Sequence, residues 1–189
     1  MNKGKLIVFA APSGAGKTTI KKIILNDYPE FVFSVSATTR KKREGETDGA
    51  DYFFLSESDF KKKIENDEFI EWEKFYDYYY GTLKSFISEK VNEGKILLLD
   101  VDVKGAFNIK NYFPESLVIF IMPPSTETLK ERLLKRKTET EEDLRKRLER
   151  AEMEMQYKDK FDFKVTNDDL NKTIKNVKKI INNFLAKED

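Results

Sequence analysis

Residues Ala11-Pro12-Ser13-Gly14-Ala15-Gly16-Lys17-Thr18 stand directly after an apolar run, Leu6-Ile7-Val8-Phe9-Ala10. A strand running straight into a glycine-rich loop and then a helix leaves few folds open. The octapeptide matches the phosphate-binding pattern G-x-x-x-x-G-K-[ST], with Ala11 in place of the first glycine, a small residue that the turn tolerates. Successive backbone N–H groups in such a loop converge on an anion, and a helix opening at Thr18 adds the positive end of its dipole. Lys17 would reach the outer phosphates of a nucleotide, and the Thr18 hydroxyl would help hold a magnesium ion bridging them. The stretch that follows, Thr19-Ile20-Lys21-Lys22-Ile23-Ile24-Leu25, is compatible with the helix the motif requires.

Composition narrows the chemistry further. The 189 residues contain no cysteine and no histidine. Disulfides, thiolate metal sites, imidazole metal ligands and serine-protease-like triads are thereby excluded. Phosphoryl transfer survives this loss, because it works by positioning and electrostatics and needs no strong base. Thirty-five basic and thirty-four acidic residues leave a net charge of +1, which argues against a general nucleic-acid or anionic-membrane surface. The apolar run before Pro12 is too short for a membrane span or the core of a signal peptide, so a cytoplasmic location is expected.

Two more apolar runs, Ile96-Leu97-Leu98-Leu99-Asp100-Val101 and Leu117-Val118-Ile119-Phe120-Ile121, lack alternation and read as parallel strands covered on both faces. Helical patterns at Ser85 to Glu93 and Thr126 to Lys135 lie between the strands. A short strand is expected at Val165 to Asn167, then an amphipathic helix from Asn171 to Lys187. Ile174, Val177, Ile181 and Leu185 form its core-facing stripe. Alternating strands and helices behind a phosphate loop predict an α/β fold, a three-layer doubly wound parallel sheet. Residues 35–88 do not read as another βα unit and are expected to form an inserted small α+β module. From Leu129 to Arg150 two charged helices are expected, split near Lys137-Thr138, with Thr140-Glu141-Glu142-Asp143 capping the second.

The chain resembles the guanylate kinase family, enzymes that phosphorylate GMP with ATP. The motifs that carry the resemblance are Phe33-Ser34-Val35-Ser36-Ala37-Thr38-Thr39-Arg40, Arg43-Glu44-Gly45-Glu46, Gly49-Ala50-Asp51-Tyr52-Phe53-Phe54, Phe69-Ile70-Glu71-Trp72, Tyr79-Tyr80-Gly81-Thr82 and Thr138-Glu139-Thr140-Glu141-Glu142. Their order and spacing cover nearly the whole chain. The resemblance implies a P-loop kinase core of residues 1–34, 89–126 and 151–189, a GMP-binding module at 35–88 and a helical lid at 127–150. ATP with magnesium, and GMP with dGMP, are the implied substrates in purine nucleotide metabolism, with no nucleic-acid or membrane partner. The resemblance leaves monomer and homodimer both open.

Each implied residue also has a chemical reason to be present. Ser13, Gly14, Ala15, Gly16, Lys17, Thr18 and Thr19 would hold ATP, with Asn167 near its adenine. Arg40, Arg43, Tyr52 and Tyr80 would surround the GMP phosphate, since a guanidinium fork binds two phosphate oxygens at once. By charge pattern alone, Arg40-Lys41-Lys42-Arg43 would read equally well as a solvated run. Glu71 would accept from N1–H and the 2-amino group of guanine, with Ser36 and Thr82 toward O6 and N7. An exposed carboxylate beside Trp72 is the plainer alternative. Asp100 would serve the magnesium shell through water and the GMP region. Asp102 would contact the nucleotide or, as readily, cap the next helix. Lys17, Arg43, Arg132, Arg136 and Arg147 would meet the charge of the moving phosphoryl group. Lys135, Arg145 and Arg150 are expected on solvated helix faces. Lys137 stands where the family commonly has glycine. The aromatic tract Phe75-Tyr76-Asp77-Tyr78-Tyr79 reads as packing. Two rivals remain: a kinase for a different nucleoside monophosphate, and a non-catalytic module binding phosphorylated peptides through the same fold.

Overall fold

A computed structural model describes residues 4–75, 77–134 and 141–187. The expected helix split at Lys137-Thr138, and with it Arg136, lies outside those residues. The central sheet has five strands, all parallel: β1 (Lys5–Ala10), β2 (Val32–Phe33), β7 (Ile96–Val101), β8 (Leu117–Met122) and β9 (Phe163–Thr166), in the order β2-β7-β1-β8-β9. Successive side chains on a strand face opposite ways, so an unbroken apolar strand needs cover on both sides. In β1, Ile7 and Phe9 face a cluster that includes Ile20 and Ile24 of α1 (Lys17–Asp27) and Val177, Ile180 and Ile181 of α7 (Leu170–Leu185). Leu6, Val8 and Ala10 face the other way, against Ile87 and Val91 of α3 (Lys84–Asn92) and Val103, Ala106 and Ile109 of α4 (Val103–Tyr112). These are the three layers expected from the sequence. Ile174 and Leu185 of the expected α7 stripe are partly buried beside Val177 and Ile181.

A second sheet, in the order β4-β3-β6-β5, is built from β3 (Ala37–Thr38), β4 (Phe53–Phe54), β5 (Phe69–Phe75) and β6 (Tyr78–Leu83). Helix α2 (Glu57–Glu65) packs on it, started by Ser56, whose hydroxyl accepts from the Asp59 N–H. Its small core is aromatic: Phe60, fully buried, stacks on Phe69 with ring centroids 4.3 Å apart and lies 5.4 Å from Tyr79. Thr38 and Thr39 pin β3 to β6, the Thr38 hydroxyl donating to the Tyr79 carbonyl and the Thr39 hydroxyl accepting from the Tyr79 N–H. Helices α5 (Thr126–Leu134) and α6 (Glu141–Met155) meet through Leu129, Leu133 and Ala151. Among the described residues no helix is long and apolar enough to cross a membrane.

Candidate active site

The sheet delivers the glycine-rich loop to the carboxyl ends of β1 and β7, where ligands of open α/β sheets bind. Gly16 caps α1 with φ +97, in the left-handed region, and as a glycine offers no side-chain cap to the helix amino terminus. The first turn of α1 also lacks any acidic residue. A Cβ on Gly16 would overlap the side-chain amide of Asn167, so both conformation and space demand glycine. Ala11 is 4% exposed and belongs to the core cluster under α1. Ala11 packs in that cluster and also lines the edge of the cleft.

Lys17 Nζ contacts Asp100 Oδ1 at 2.7 Å and also donates to the Val101 carbonyl. Lys21 Nζ lies 3.0 Å from Asp100 Oδ2 and 4.1 Å from the centre of the Phe33 ring. Burial pushes the Asp100 carboxyl up, but the two ammonium groups outweigh it and hold the pKa below the usual carboxylate range. Asp100 and Thr18 line the same cleft. Among the described residues no group of three carboxylates could hold a metal alone. One hydroxyl and one carboxylate suit magnesium, which takes few protein ligands and completes its shell with water and substrate phosphates.

Across the cleft, Glu71 Oε1 accepts from the Thr82 hydroxyl at 2.5 Å, and Thr82 is 1% exposed. Burial raises the Glu71 pKa to about 7. The Thr82 hydrogen bond and Lys17 oppose that rise, while the charges of Asp102 and Glu73 add to it. Asp102 proves to be the cap of α4, its Oδ1 accepting from the Gly105 N–H at 2.6 Å. A Cβ at Gly105 would come within 3.2 Å of Glu71 Oε2, so this glycine clears room for the carboxylate. Sequence reasoning missed Gly105, although a glycine three residues after a cap was there to be noticed.

Arg40 is fixed before any ligand arrives. Its fork donates to Glu46 Oε2 at 3.0 Å and Oε1 at 2.7 Å, and its guanidinium lies 5.3 Å from the Tyr52 ring centre. Arg40, with the Arg43 N–H, lowers the Glu46 pKa to about 2. Tyr52 and Tyr80 meet edge to face at 6.1 Å and both line the cleft, whereas Arg40 and Arg43 do not, and Arg43 is exposed. Glu46 escaped notice as a partner of Arg40, though it closes the Arg43-Glu44-Gly45-Glu46 motif.

Arg132 and Asn167 brace the loop from behind. The Asn167 amide donates to the Ala15 carbonyl at 2.8 Å, and Arg132 donates to the carbonyls of Ala15 at 3.3 Å and Asn167 at 2.9 Å. Neither lines the cleft, and Thr19 is exposed outside it. Arg147 does line it. Arg145 is exposed, as expected. Arg150 is not: it enters the cleft and binds Glu73, Asp102 and Glu154. The expectation of a solvated face fails because two of its partners, Glu73 and Asp102, lie on other elements, 77 and 48 residues away in sequence. The resulting cleft, about 480 Å³, brings together Ser13, Gly14, Gly16, Lys17, Thr18, Ser36, Tyr52, Glu71, Tyr80, Asp100, Asp102 and Arg147. One end is a cationic phosphate cradle and the other a set of buried acceptors.

The chain is similar to known proteins over nearly its whole length. A family model described as "Guanylate kinase" matches residues 3–184. A guanylate kinase of Chlorobium chlorochromatii is 53% identical over 184 residues, spanning 97% of both chains. One from Chlorobium luteolum is 51% identical over 184 residues, covering 97% of this chain and 93% of that protein. One from Thermotoga maritima is 46% identical over 185 residues, covering 98% and 89%. Among solved structures, guanylate kinase from Anaplasma phagocytophilum superposes with a TM-score of 0.75 at 30% identity, covering 99% of this chain and 89% of that one.

Proposed function

The chain belongs to the guanylate kinase family of nucleoside monophosphate kinases, and from that premise we propose the roles by which its residues transfer the γ-phosphoryl group of ATP to GMP. The observation that carries the reading is the meeting, in one cleft, of a phosphate loop and a buried carboxylate suited to guanine. The backbone from Ser13 to Thr18 receives the ATP phosphates, and Lys17 moves onto the outer ones. Arg40, Arg43, Tyr52 and Tyr80 hold the GMP phosphate in line with them. Guanine offers two adjacent donors, N1–H and the 2-amino group, and ionised Glu71 accepts from both beside Asp102. Ser36 and Thr82 border its O6 and N7 side.

The attacking atom is an oxygen of the GMP phosphate, already ionised near neutral pH. No proton has to be removed, which is why a chain without histidine can do this chemistry. That oxygen forms the new bond to the γ-phosphorus as the bond to the β-γ bridging oxygen breaks, and the leaving charge goes to ADP. Lys17, Arg147 and Arg136 answer the charge on the moving group, while Arg132 and Asn167 keep the loop in shape. A magnesium ion held by Thr18 and, through water, by Asp100 would neutralise the phosphate oxygens between which transfer occurs.

We take residues 35–88 as a GMP-binding module and 127–150 as a lid, closing on the core to exclude water. dGMP is accepted on the same contacts, which read base and phosphate. We infer a cytoplasmic site of action, since both substrates are free nucleotides. The test is transfer of label from γ-labelled ATP. Recovery of the label in GDP supports the reading, and its release only as inorganic phosphate overturns it.

A further inference from the structure

Arg150 has no role in the proposal above, yet it sits at a junction. From α6 its Nη2 donates to Glu73 Oε2 on β5 at 2.9 Å and to Asp102 Oδ2 at the start of α4 at 2.8 Å. Its Nε donates to Glu154 Oε1, one turn further along α6, at 2.9 Å. Glu73 follows Glu71 by two residues on one strand, so both project from the same face. Asp102 divides its oxygens between the Gly105 N–H and Arg150, which fixes the plane of its carboxylate. Each carboxylate oxygen carries two acceptor sites, so both retain capacity for a ligand donor.

Glu71, Glu73, Asp102 and Glu154 all line the cleft. The charges of Asp102 and Glu73 both disfavour the ionised form of Glu71. Facing Glu71 are Glu73 on its own strand, the Thr82 hydroxyl from β6, Asp102 from α4, Lys17 from α1, and Arg147, Arg150 and Glu154 from α6. Lys17 is engaged with Asp100. Arg150 bonds three of the four carboxylates itself, with a side chain only 32% exposed.

We propose that Arg150 is a positioning residue of the GMP site, holding the Asp102 and Glu73 carboxylates oriented beside Glu71 and tying α6 to the strand that reads the base. The inference rests on the reading of the cleft as a guanine site. The guanidinium matters for its geometry as well as its charge. Nε and Nη2 reach acceptors on three elements from fixed directions, which an ammonium group cannot reproduce.

The test compares the full-length protein with Arg150→Met, Arg150→Lys and, as a control on the same helix, Arg145→Met. KM for GMP, KM for ATP, kcat and thermal melting are measured from about pH 6 to about pH 9. Arg150→Met should raise KM for GMP about tenfold and leave KM for ATP within about twofold. Without this cation in the cleft Glu71 holds its proton longer, so the acid limb of kcat/KM for GMP should move up by roughly half a pH unit. Arg150→Lys should restore the limb but only part of the KM, and Arg145→Met should match the parent. If Arg150→Met does not fold, Arg150→Lys decides the matter. An unchanged KM for GMP in the folded variant, or equal rises for GMP and ATP, overturns the proposal. A parent protein that does not phosphorylate GMP overturns instead the functional reading beneath it.

Discussion

Acidification should weaken GMP binding through Glu71, and the size of the effect follows from its surroundings. Burial is the main reason that its pKa lies at about 7. Guanine presents donors, so only the ionised carboxylate is a good partner. A group with that pKa is about nine-tenths ionised at pH 8 and about one-tenth at pH 6, a tenfold change in competent protein. GMP itself takes up a proton near pH 6, so Glu71→Gln serves as the reference. Glu71→Gln should bind GMP roughly 10- to 100-fold more weakly at pH 8, the cost of losing a charged hydrogen bond. It should lack the tenfold slope beyond what GMP contributes. A rise from 4.5 to about 7 also means that ligand-free stability is fully present below the lower value and lost as pH rises through the higher one. Glu71→Gln should therefore stabilise the free protein above pH 7, by up to about 3 kcal/mol, while crippling GMP use. Titration calorimetry with GMP across the pH range, with melting curves in parallel, measures both. Equal pH slopes in parent and variant, or a variant less stable at pH 8, would refute the assignment of this proton to Glu71.

Lys17→Met should lower turnover by about 10³-fold or more while the protein stays folded, because Asp100 keeps its contact with Lys21; steady-state kinetics with circular dichroism check both halves. Restoring the usual glycine, Ala11→Gly, should cost about 1 kcal/mol in chemical denaturation and leave kcat unchanged, since the methyl group is buried in the core cluster. Glu46→Gln removes the ionic partner of the Arg40 fork. It should raise KM for GMP several-fold with KM for ATP unaffected, as read from initial rates.

The phosphate loop was legible because its backbone conformation admits so few residues: Gly16 is required by φ and by Asn167 at once. The strands were legible because Leu97 to Leu99 and Val118 to Ile121 are buried on both faces, and such runs fit little else. The predicted strand at Val165 to Asn167 begins two residues earlier, at Phe163, and Asn167 lies just past its end. The sequence predicts an α+β module at 35–88 but no position for its helix; α2 follows the Ser56 cap, and Phe60 is its one buried residue. Asp102 could be read from sequence as a cap or as a ligand contact. The structure shows the cap, and shows that a carboxylate in that position still lines the cleft. Glu73, Arg150 and Glu154 were invisible as a set. Their pairing depends on how α6 lies over β5, and local patterns carry no record of that. Glu71 fell between: its spacing gave no sign of burial, and only the motif around Trp72 drew attention to it.

The central claim is that a guanine-reading carboxylate and a phosphate loop serve one transfer reaction. It is tested most directly by measuring kcat/KM with ATP and magnesium for GMP, IMP and AMP side by side. GMP should exceed AMP by about 10⁴ or more, because adenine leaves Glu71 buried without its donors. IMP, which keeps N1–H but lacks the 2-amino group, should fall between them. Comparable rates for GMP and AMP would contradict the assignment of Glu71 as base reader, and no turnover of GMP by folded protein would contradict the reaction itself.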